Sequence, residues 1–297
     1  MKSISGKQLF NWYQQSLQEA NKNNISVLEI ELLLTELTQL DSLSLKLKTY
    51  QNLENIKSKV SLDKLSNLWN TRIKERCPIQ YLIGDCYWRD FRFKVTNDVL
   101  IPRPETELII DLVNDIVQKN PFLSQGNLLD LGTGSGAIAI ALASTFPQSS
   151  IYAVDKSKSA LLIAEENARR YNLESRINFT HGSWFQTLSE YKNSFSIIVS
   201  NPPYIPSAVV LELQPEVVNH EPKMALDGGE DGLNDIRYLI DTAPLYLLND
   251  GFILLEIMAG QGEDVKQLFQ GNPHYSNINI HYDLANLDRF VSAQKNG

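Results

Sequence analysis

The sequence predicts an α/β protein: a mostly parallel sheet covered on both faces, preceded by a small helical domain. Three observations carry this expectation. From residue 105 onward, short β-branched runs alternate with helical stretches, and strand–helix–strand succession implies parallel strands joined by crossovers. The stretch "DLGTGSGAIA" (130–139) sets three glycines between one such strand and the helix that follows it. The first 76 or so residues show no such alternation; their apolar residues recur at helical spacing. The predicted organisation is a helical domain over 1–80, a strand-rich connector over 81–104 and the α/β domain over 105–297.

The elements follow in order. Ser26 and Glu29 have the spacing of a capping box, ahead of Ile30, Leu33, Leu34 and Leu37 on one helical face. Leu62, Leu65, Trp69 and Ile73 mark a later helix, which Cys77-Pro78 should end. "FRFKV" (91–95) alternates apolar and basic residues, as a strand with one solvated face does. A helix is expected after Pro104, with Glu105 and Glu107 in the first turn where the helix dipole favours acids. Strands are predicted at 127–131, 151–155, 177–180, 195–200 and 251–257, a helix over 137–144, and a terminal hairpin within 277–294.

Composition narrows the class. The 297 residues are 43% apolar and 21% charged, ordinary for a globular protein. No window approaches the ~20 apolar residues of a membrane span, and the start lacks the apolar core of a signal peptide. Cys77 and Cys86 have no CxxC or histidine partner, which suggests packing thiols in a reducing compartment, the cytoplasm. The four histidines are scattered, so no metal site is expected. Net charge is −8, unevenly spread: residues 1–94 hold 14 Lys and Arg against 10 Asp and Glu, the rest 13 against 25. An acidic α/β part argues against a broad nucleic-acid groove. The basic N-terminal part, including Lys46 to Arg76, suits an acidic partner, RNA or a solvated helical face.

Gly132, Gly134 and Gly136 let backbone approach a ligand closely. With Ala137 the stretch also fits GxGxxA, so a dinucleotide site competes. Asp155, ending the next strand, suits a ribose hydroxyl in either case; the shared reading is a cofactor containing adenosine. Two details favour S-adenosylmethionine. Asp130 puts a carboxylate where a pyrophosphate would approach, repelling phosphate while tolerating cationic sulfonium and amino groups. "HGSWF" (181–185) supplies Trp184 near the expected adenine pocket.

"SIIVSNPPYIP" (196–206) is a buried-type strand that two prolines terminate. The residue before a proline is held extended, so Asn201 projects from the strand's carboxyl end, where ligands bind in such sheets. The Asn201 side-chain oxygen can accept one N–H of a planar NH₂ group and the Pro202 carbonyl the other. Pro202 and Pro203 stiffen the corner, and Tyr204 offers a flat face for stacking. The tetrapeptide reads as a clamp for a planar NH₂ group.

These stretches, with "PIQYLIG", "LIPRPETE", "VSNPPYIP", "EPKMALDGGEDGL", "GFILLEI" and "DRFVSA" in that order, resemble the HemK/PrmC family of peptide chain release factor glutamine methyltransferases over residues 78–293. The tetrapeptide alone is shared with amino-directed DNA and RNA methyltransferases; "IPRPETE" ahead of the glycine turn, behind helices, is the specific combination. The resemblance implies a Rossmann-like class I S-adenosylmethionine methyltransferase with a seven-stranded sheet whose last strand is antiparallel, and a helical substrate-docking domain. It implies cofactor contacts from Gly132, Thr133, Gly134, Ser135, Gly136, Asp155, Trp184 and Asn201. Asn201, Pro202, Pro203 and Tyr204 would hold the target glutamine of a Gly-Gly-Gln loop on class-1 release factors, with Asn201, Pro202 and Tyr204 at the chemistry. The enzyme would act as a monomer. Arg103 lies in the signature stretch with no role the sequence assigns. The alternatives are an amino-directed DNA or RNA methyltransferase, a nicotinamide-dependent oxidoreductase and a non-catalytic cofactor-binding scaffold.

Overall fold

A computed structural model describes residues 2–297, which divide into two compact units: residues up to Asp85 together with Gln214–His220, and Cys86–Leu213 together with Glu221–Gly297.

The first unit is built from β1 (Lys2–Ile4), α1 (Gly6–Lys22), α2 (Val27–Leu37), α3 (Ser42–Leu47), β2 (Ile56–Ser58), α4 (Leu62–Glu75) and α5 (Ile79–Ile83). The expected apolar stripes meet in one core, where Ile30, Leu33, Leu34, Leu65 and Trp69 are almost wholly buried. Two local expectations change. Ser26 caps α2 by accepting from the Leu28 amide at 3.3 Å, but Glu29 turns away to pair with Arg72 rather than close the box. A closed capping box occurs instead at Ser5 and Gln8, at the start of α1. The antiparallel pair β1–β2 was not foreseen, because three-residue strands are too short to show a period of two.

Arg72 is the charged centre of this unit. Its side chain is 5% exposed and pairs with Glu29 and, at 2.9 Å, with Glu216; Arg76 adds a second contact to Glu216 at 2.6 Å. Glu216 lies in Gln214–His220, so this cluster joins a segment distant in sequence to α2 and α4. The Glu216 carboxyl is held below the usual range: burial raises it, but its own backbone amide, the Arg72 hydrogen bond and the Arg72 and Arg76 charges outweigh that.

In the second unit, β3 (Asp85–Trp88) and β4 (Phe91–Lys94) form a two-stranded sheet. The 3₁₀ turn Glu105–Glu107 precedes α6 (Leu108–Lys119), so Glu105 and Glu107 stand just ahead of the regular helix. Then come β5 (Asn127–Leu131), α7 (Ala137–Thr145), β6 (Ile151–Asp155), α8 (Lys158–Arg170), β7 (Ile177–His181), β8 (Phe195–Ser200), β9 (Leu247–Glu256), β10 (Tyr275–Tyr282) and β11 (Asp288–Lys295). The seven-stranded sheet runs β10-β11-β9-β8-β5-β6-β7. Strands β5 to β9 are parallel to one another, and β11 is antiparallel to both of its neighbours, β9 and β10.

Every residue of β8 is buried. Ile197 and Val199 face one core with α6 and α7, Ile198 the other with the helix Asn234–Thr242. Helix α7 is buried from Ala137 to Ala143, which explains its lack of a polar face. From β5 the chain goes outward through β6 and β7, then returns to place β8 on the other side of β5. That reversal opens a crevice at the carboxyl ends of β5 and β8.

Arg72→Met keeps the stem but removes the cation that links Glu29 to Glu216, leaving Glu216 with Arg76 alone. Its unfolding free energy in a denaturant titration is expected to fall by an amount near the low end of the ~3–5 kcal/mol typical of broken buried pairs. A midpoint equal to the parent's would show that the Arg72 pairs add nothing beyond what solvent gives Glu29 and Arg76 gives Glu216.

Candidate active site

The register of the sheet brings distant segments together. Leu131 pairs with Val154 on one side and Ser200 on the other, and Ser200 pairs with Leu255. The residues that follow these positions are Gly132, Asp155, Asn201 and Glu256, all at one edge. Ser200 Oγ donates to the Leu131 carbonyl at 2.6 Å, tying the exits of β5 and β8 together. The Gly132 and Thr133 amides cross to the Val154 carbonyl at 2.9 and 3.1 Å.

A cleft opens at this edge, and Gly132, Gly134, Asp155, Trp184, Asn201 and Pro203 are among the residues that line it. Thr133, Ser135 and Gly136 lie behind it. Thr133 and Ser135 are 6% and 3% exposed. Gly136 has φ +83°, and an added Cβ would meet the Ala164 Cβ at 3.0 Å; its lack of a side chain serves the close approach of α7 to α8. Pro202 is buried, and Tyr204 lies outside the lining as well.

The acids set the local order. Asp130 is fully buried; its Oδ2 accepts from Thr133 Oγ1 at 2.6 Å and from the Ala139 amide at 3.1 Å. Its Oδ1 is buried without a hydrogen-bond partner. Burial pushes the carboxyl up to about 7, against the lowering effect of those two bonds. Asp130 thus fastens the glycine turn to α7 rather than lining the cleft. Asp155 accepts from the Gly134 amide through Oδ2 and the Ser157 amide through Oδ1, each at 2.8 Å. Each oxygen keeps a further lone pair for a hydroxyl donor. Burial raises its pKa and the two amides oppose the shift. Asn167, buried in α8, donates to the Ser135 carbonyl at 2.9 Å and holds the turn from below.

Trp184, at φ +51°, packs its ring near Gly132 and donates Nε1–H to Asp235 at 3.0 Å. Asp98, Asp155 and Asp235 line the cleft against one cation, Lys156. This balance disfavours a pyrophosphate and so a dinucleotide.

The Asn-Pro-Pro-Tyr corner is braced from three directions. Asn201 Nδ2 donates to Thr106 Oγ1 at 3.2 Å, which leaves Oδ1 as the free acceptor of a side chain that lines the cleft. Tyr204 donates its hydroxyl proton to Glu256 Oε1 at 3.2 Å, and its carbonyl accepts from Gln261 Nε2 at 3.0 Å. The segment 221–232 wraps the corner: Ile205 and Asp227 form a bridge, and a Cβ on Gly232 would sit 2.3 Å from the Tyr204 carbonyl. Arg103 gains a partner here, pairing with the buried Glu221; its carbonyl accepts from Trp88 Nε1 at 2.8 Å. Glu256 is 1% exposed. Burial lifts its carboxyl to about 7, opposed by side-chain hydrogen bonding from Thr106 and Tyr204 and by the Arg289 charge.

Sequence reasoning missed Thr106, Glu221, Asp235, Glu256 and Gln261. One signal was there: "NLLDL", "IYAVD" and "GFILLE" each carry an acid at or next to the end of an apolar strand, yet only the first two were used. Among the described residues, no group of three or more His, Cys, Asp or Glu could hold a metal. No helix among them is long and apolar enough to cross a membrane.

Fold and site together define a methyltransferase domain. Residues 107–230 match the family model "Methyltransferase small domain". The fold is similar to that of a solved hMettl16 catalytic domain in complex with MAT2A 3'UTR hairpin 6 (13% identity, 87% of each chain covered, TM-score 0.55). At higher identity stand relatives named release factor glutamine methyltransferase. That of Synechocystis sp. is 46% identical over 98% of this chain and 97% of its own. That of Thermosynechococcus vestitus is 43% identical over 98% and 99%, and that of Gloeobacter violaceus 42% over 94% of each. The chain belongs to the release factor glutamine methyltransferase family.

The buried Asp130 carboxyl yields a pH prediction. Its folded pKa, about 7, lies above the ordinary 3.8. The folded state therefore holds a proton that the unfolded state has released, and the stability this gives is lost as pH rises from about 4 through about 7. Asp130→Asn cannot titrate. Melting temperatures measured from pH 4 to 8 should show the variant gaining on the parent as pH rises; parallel curves would contradict the assignment.

Proposed function

We propose that this chain transfers a methyl group from S-adenosylmethionine to the side-chain amide nitrogen of the glutamine in a Gly-Gly-Gln loop of class-1 peptide chain release factors. The observation that carries the reading is the free Asn201 Oδ1 at the cleft, fixed by the Asn201–Thr106 bond, beside a glycine turn and Asp155.

The residues fit the cofactor. A side chain at Gly134 would project into open space, so its absence leaves room for a ligand. The carboxylate of Asp155 suits ribose hydroxyls and the Trp184 ring the adenine side. Gly132 and Gly134 bring bare backbone to the ligand, while Thr133, Ser135 and Gly136 shape the turn from behind. When bound, S-adenosylmethionine supplies a methyl carbon already activated by its positive sulfur.

The protein's share is orientation. Asn201 Oδ1 accepts one N–H of the glutamine amide and the Pro202 carbonyl the other, so the nitrogen is aimed into the cleft. Pro202 and Pro203 hold that carbonyl stiffly, so little freedom is lost on binding. Both acceptor oxygens support the positive charge that builds on nitrogen during transfer. The methylated nitrogen, briefly cationic, loses its proton without a strong base. Tyr204 has its hydroxyl fixed by Glu256 and its ring packed against the core, so it supports the corner from behind. The same reading implies a monomer acting in the cytoplasm, with the helical unit and its lysines engaging the factor. Glycines beside the target let its loop enter a narrow cleft.

Incubation with tritiated S-adenosylmethionine and purified release factor, RNA and DNA in parallel tests the function. Label on the glutamine of the factor is expected; label on nucleic acid alone would overturn it. Asn201→Ala should lower the single-turnover transfer rate on the order of a hundredfold, the scale of a nitrogen misplaced by about 1 Å. Asn201→Asp, which keeps an acceptor oxygen, should retain measurably more. A parent-like rate for Asn201→Ala would remove the amide from the chemistry.

A further inference from the structure

A flat ring face can hold a purine but does not tell one purine from another, since every base offers a π-face. In this cleft the flat face is Trp184, and its one polar group is already engaged. An indole has a single donor, Nε1–H, and here it goes to Asp235 Oδ1 at 3.0 Å. The edge of a bound base must therefore be read by something other than the indole. Asp235 lines the same cleft, beside Gly182, Ser183 and Trp184. A carboxylate offers about four acceptor positions, and the Trp184 bond takes one of them. The other carboxylates of the lining are differently placed. Asp155 accepts from the Gly134 and Ser157 amides at the exit of β6 and suits the ribose. Asp98 is exposed and accepts from Thr96 Oγ1 at 3.0 Å.

Asp235 is held as firmly as the ring it meets. It stands in the first turn of the helix Asn234–Thr242, whose Ile236, Leu239 and Ile240 are buried. The Asn234 amide donates to the Gly228 carbonyl at 3.0 Å, which fastens the start of that helix. Trp184 has φ +51°, uncommon for so bulky a residue, and the Nε1 bond settles where its ring points. We propose that Asp235 reads the 6-amino group of adenine: Trp184 holds the carboxylate at the ring edge, and its remaining acceptor capacity takes an amino N–H. The inference rests on the reading of the cleft as an S-adenosylmethionine site. It adds the polar contact that selects adenine over a purine without an amino group at that position. An ionised carboxylate only accepts, so it gains from a 6-amino group and gains nothing from a 6-hydrogen.

Calorimetric titration with two ligands tests it: S-adenosylhomocysteine, and its analogue with hydrogen in place of the 6-amino group. The parent should bind the analogue on the order of ten- to a hundredfold more weakly, the scale of a hydrogen bond to a charged group. In Asp235→Asn the indole N–H still requires an acceptor, so the new amide turns its oxygen to Trp184 and its NH₂ to the base. Two NH₂ groups then face each other. The variant should lose about tenfold for S-adenosylhomocysteine while its affinity for the analogue stays within about threefold of the parent's. The preference between the ligands collapses. If Asp235 served only to hold the Trp184 ring, both ligands would weaken together and their ratio would persist; that result overturns the inference. So does a parent that binds the two equally, a comparison that decides even if Asp235→Asn fails to fold. A parent that binds neither ligand overturns the cofactor reading and this inference together. A parent that discriminates between them but does not methylate release factor supports the inference and overturns only the proposed substrate.

Discussion

The register between β5 and β8, with Leu131 opposite Ser200 and the two exits tied by the Ser200 hydroxyl at 2.6 Å, fixes where everything else in the site can stand. In a pleated sheet a slip of one residue sends each side chain to the opposite face. Here such a slip would carry Ile197, Val199 and Ile198 into the wrong cores, because β8 is buried on both faces. Hydrophobic packing, far from the cleft in chemical character, thereby sets the distance between the glycine turn and Asn201. The same packing carries β6 and β9 along, which is why Asp155 and Glu256 emerge at the same edge.

Three acids on neighbouring strands are then put to different uses by their surroundings. Asp155, at the cleft, spends one lone pair of each oxygen on a backbone amide and keeps the others for a ligand. Asp130, one layer in, binds the turn to α7 and leaves one oxygen unpartnered. Glu256, on the other side of the corner, accepts from the Tyr204 hydroxyl through Oε1 and leaves its buried Oε2 without a partner. Burying a carboxylate is costly unless donors compensate, and burial raises the pKa of all three. Of the three, only Asp155 lines the cleft, where an entering donor meets it directly.

The sheet was legible because its strands are short apolar runs bounded by glycine, proline or acid, and because α7 follows its glycine turn at once. The clamp was legible because an amide, two prolines and a tyrosine at a strand tip have a specific chemistry. What hid was everything that depends on contact across the sheet. Thr106 lies 95 positions from its partner Asn201 and Gln261 57 from Tyr204, spacings no local pattern encodes. The packing role of Gly136 was hidden because turn glycines look alike in sequence; the Ala164 contact shows it. Ser26 and Glu29 had the spacing of a capping box, but an ion pair with Arg72 outcompeted it. The pair β1–β2 was too short for periodicity to register.

The central claim is that a planar amide is held nitrogen-first between Asn201 and the glycine turn. A crystal structure with S-adenosylhomocysteine and a peptide carrying Gly-Gly-Gln tests it most directly. The account predicts the glutamine in the cleft, its amide nitrogen about 2.7–3.2 Å from Asn201 Oδ1, with Asn201 Nδ2 still on Thr106. A peptide seated elsewhere, or one whose amide carbonyl rather than nitrogen meets Asn201, would contradict it.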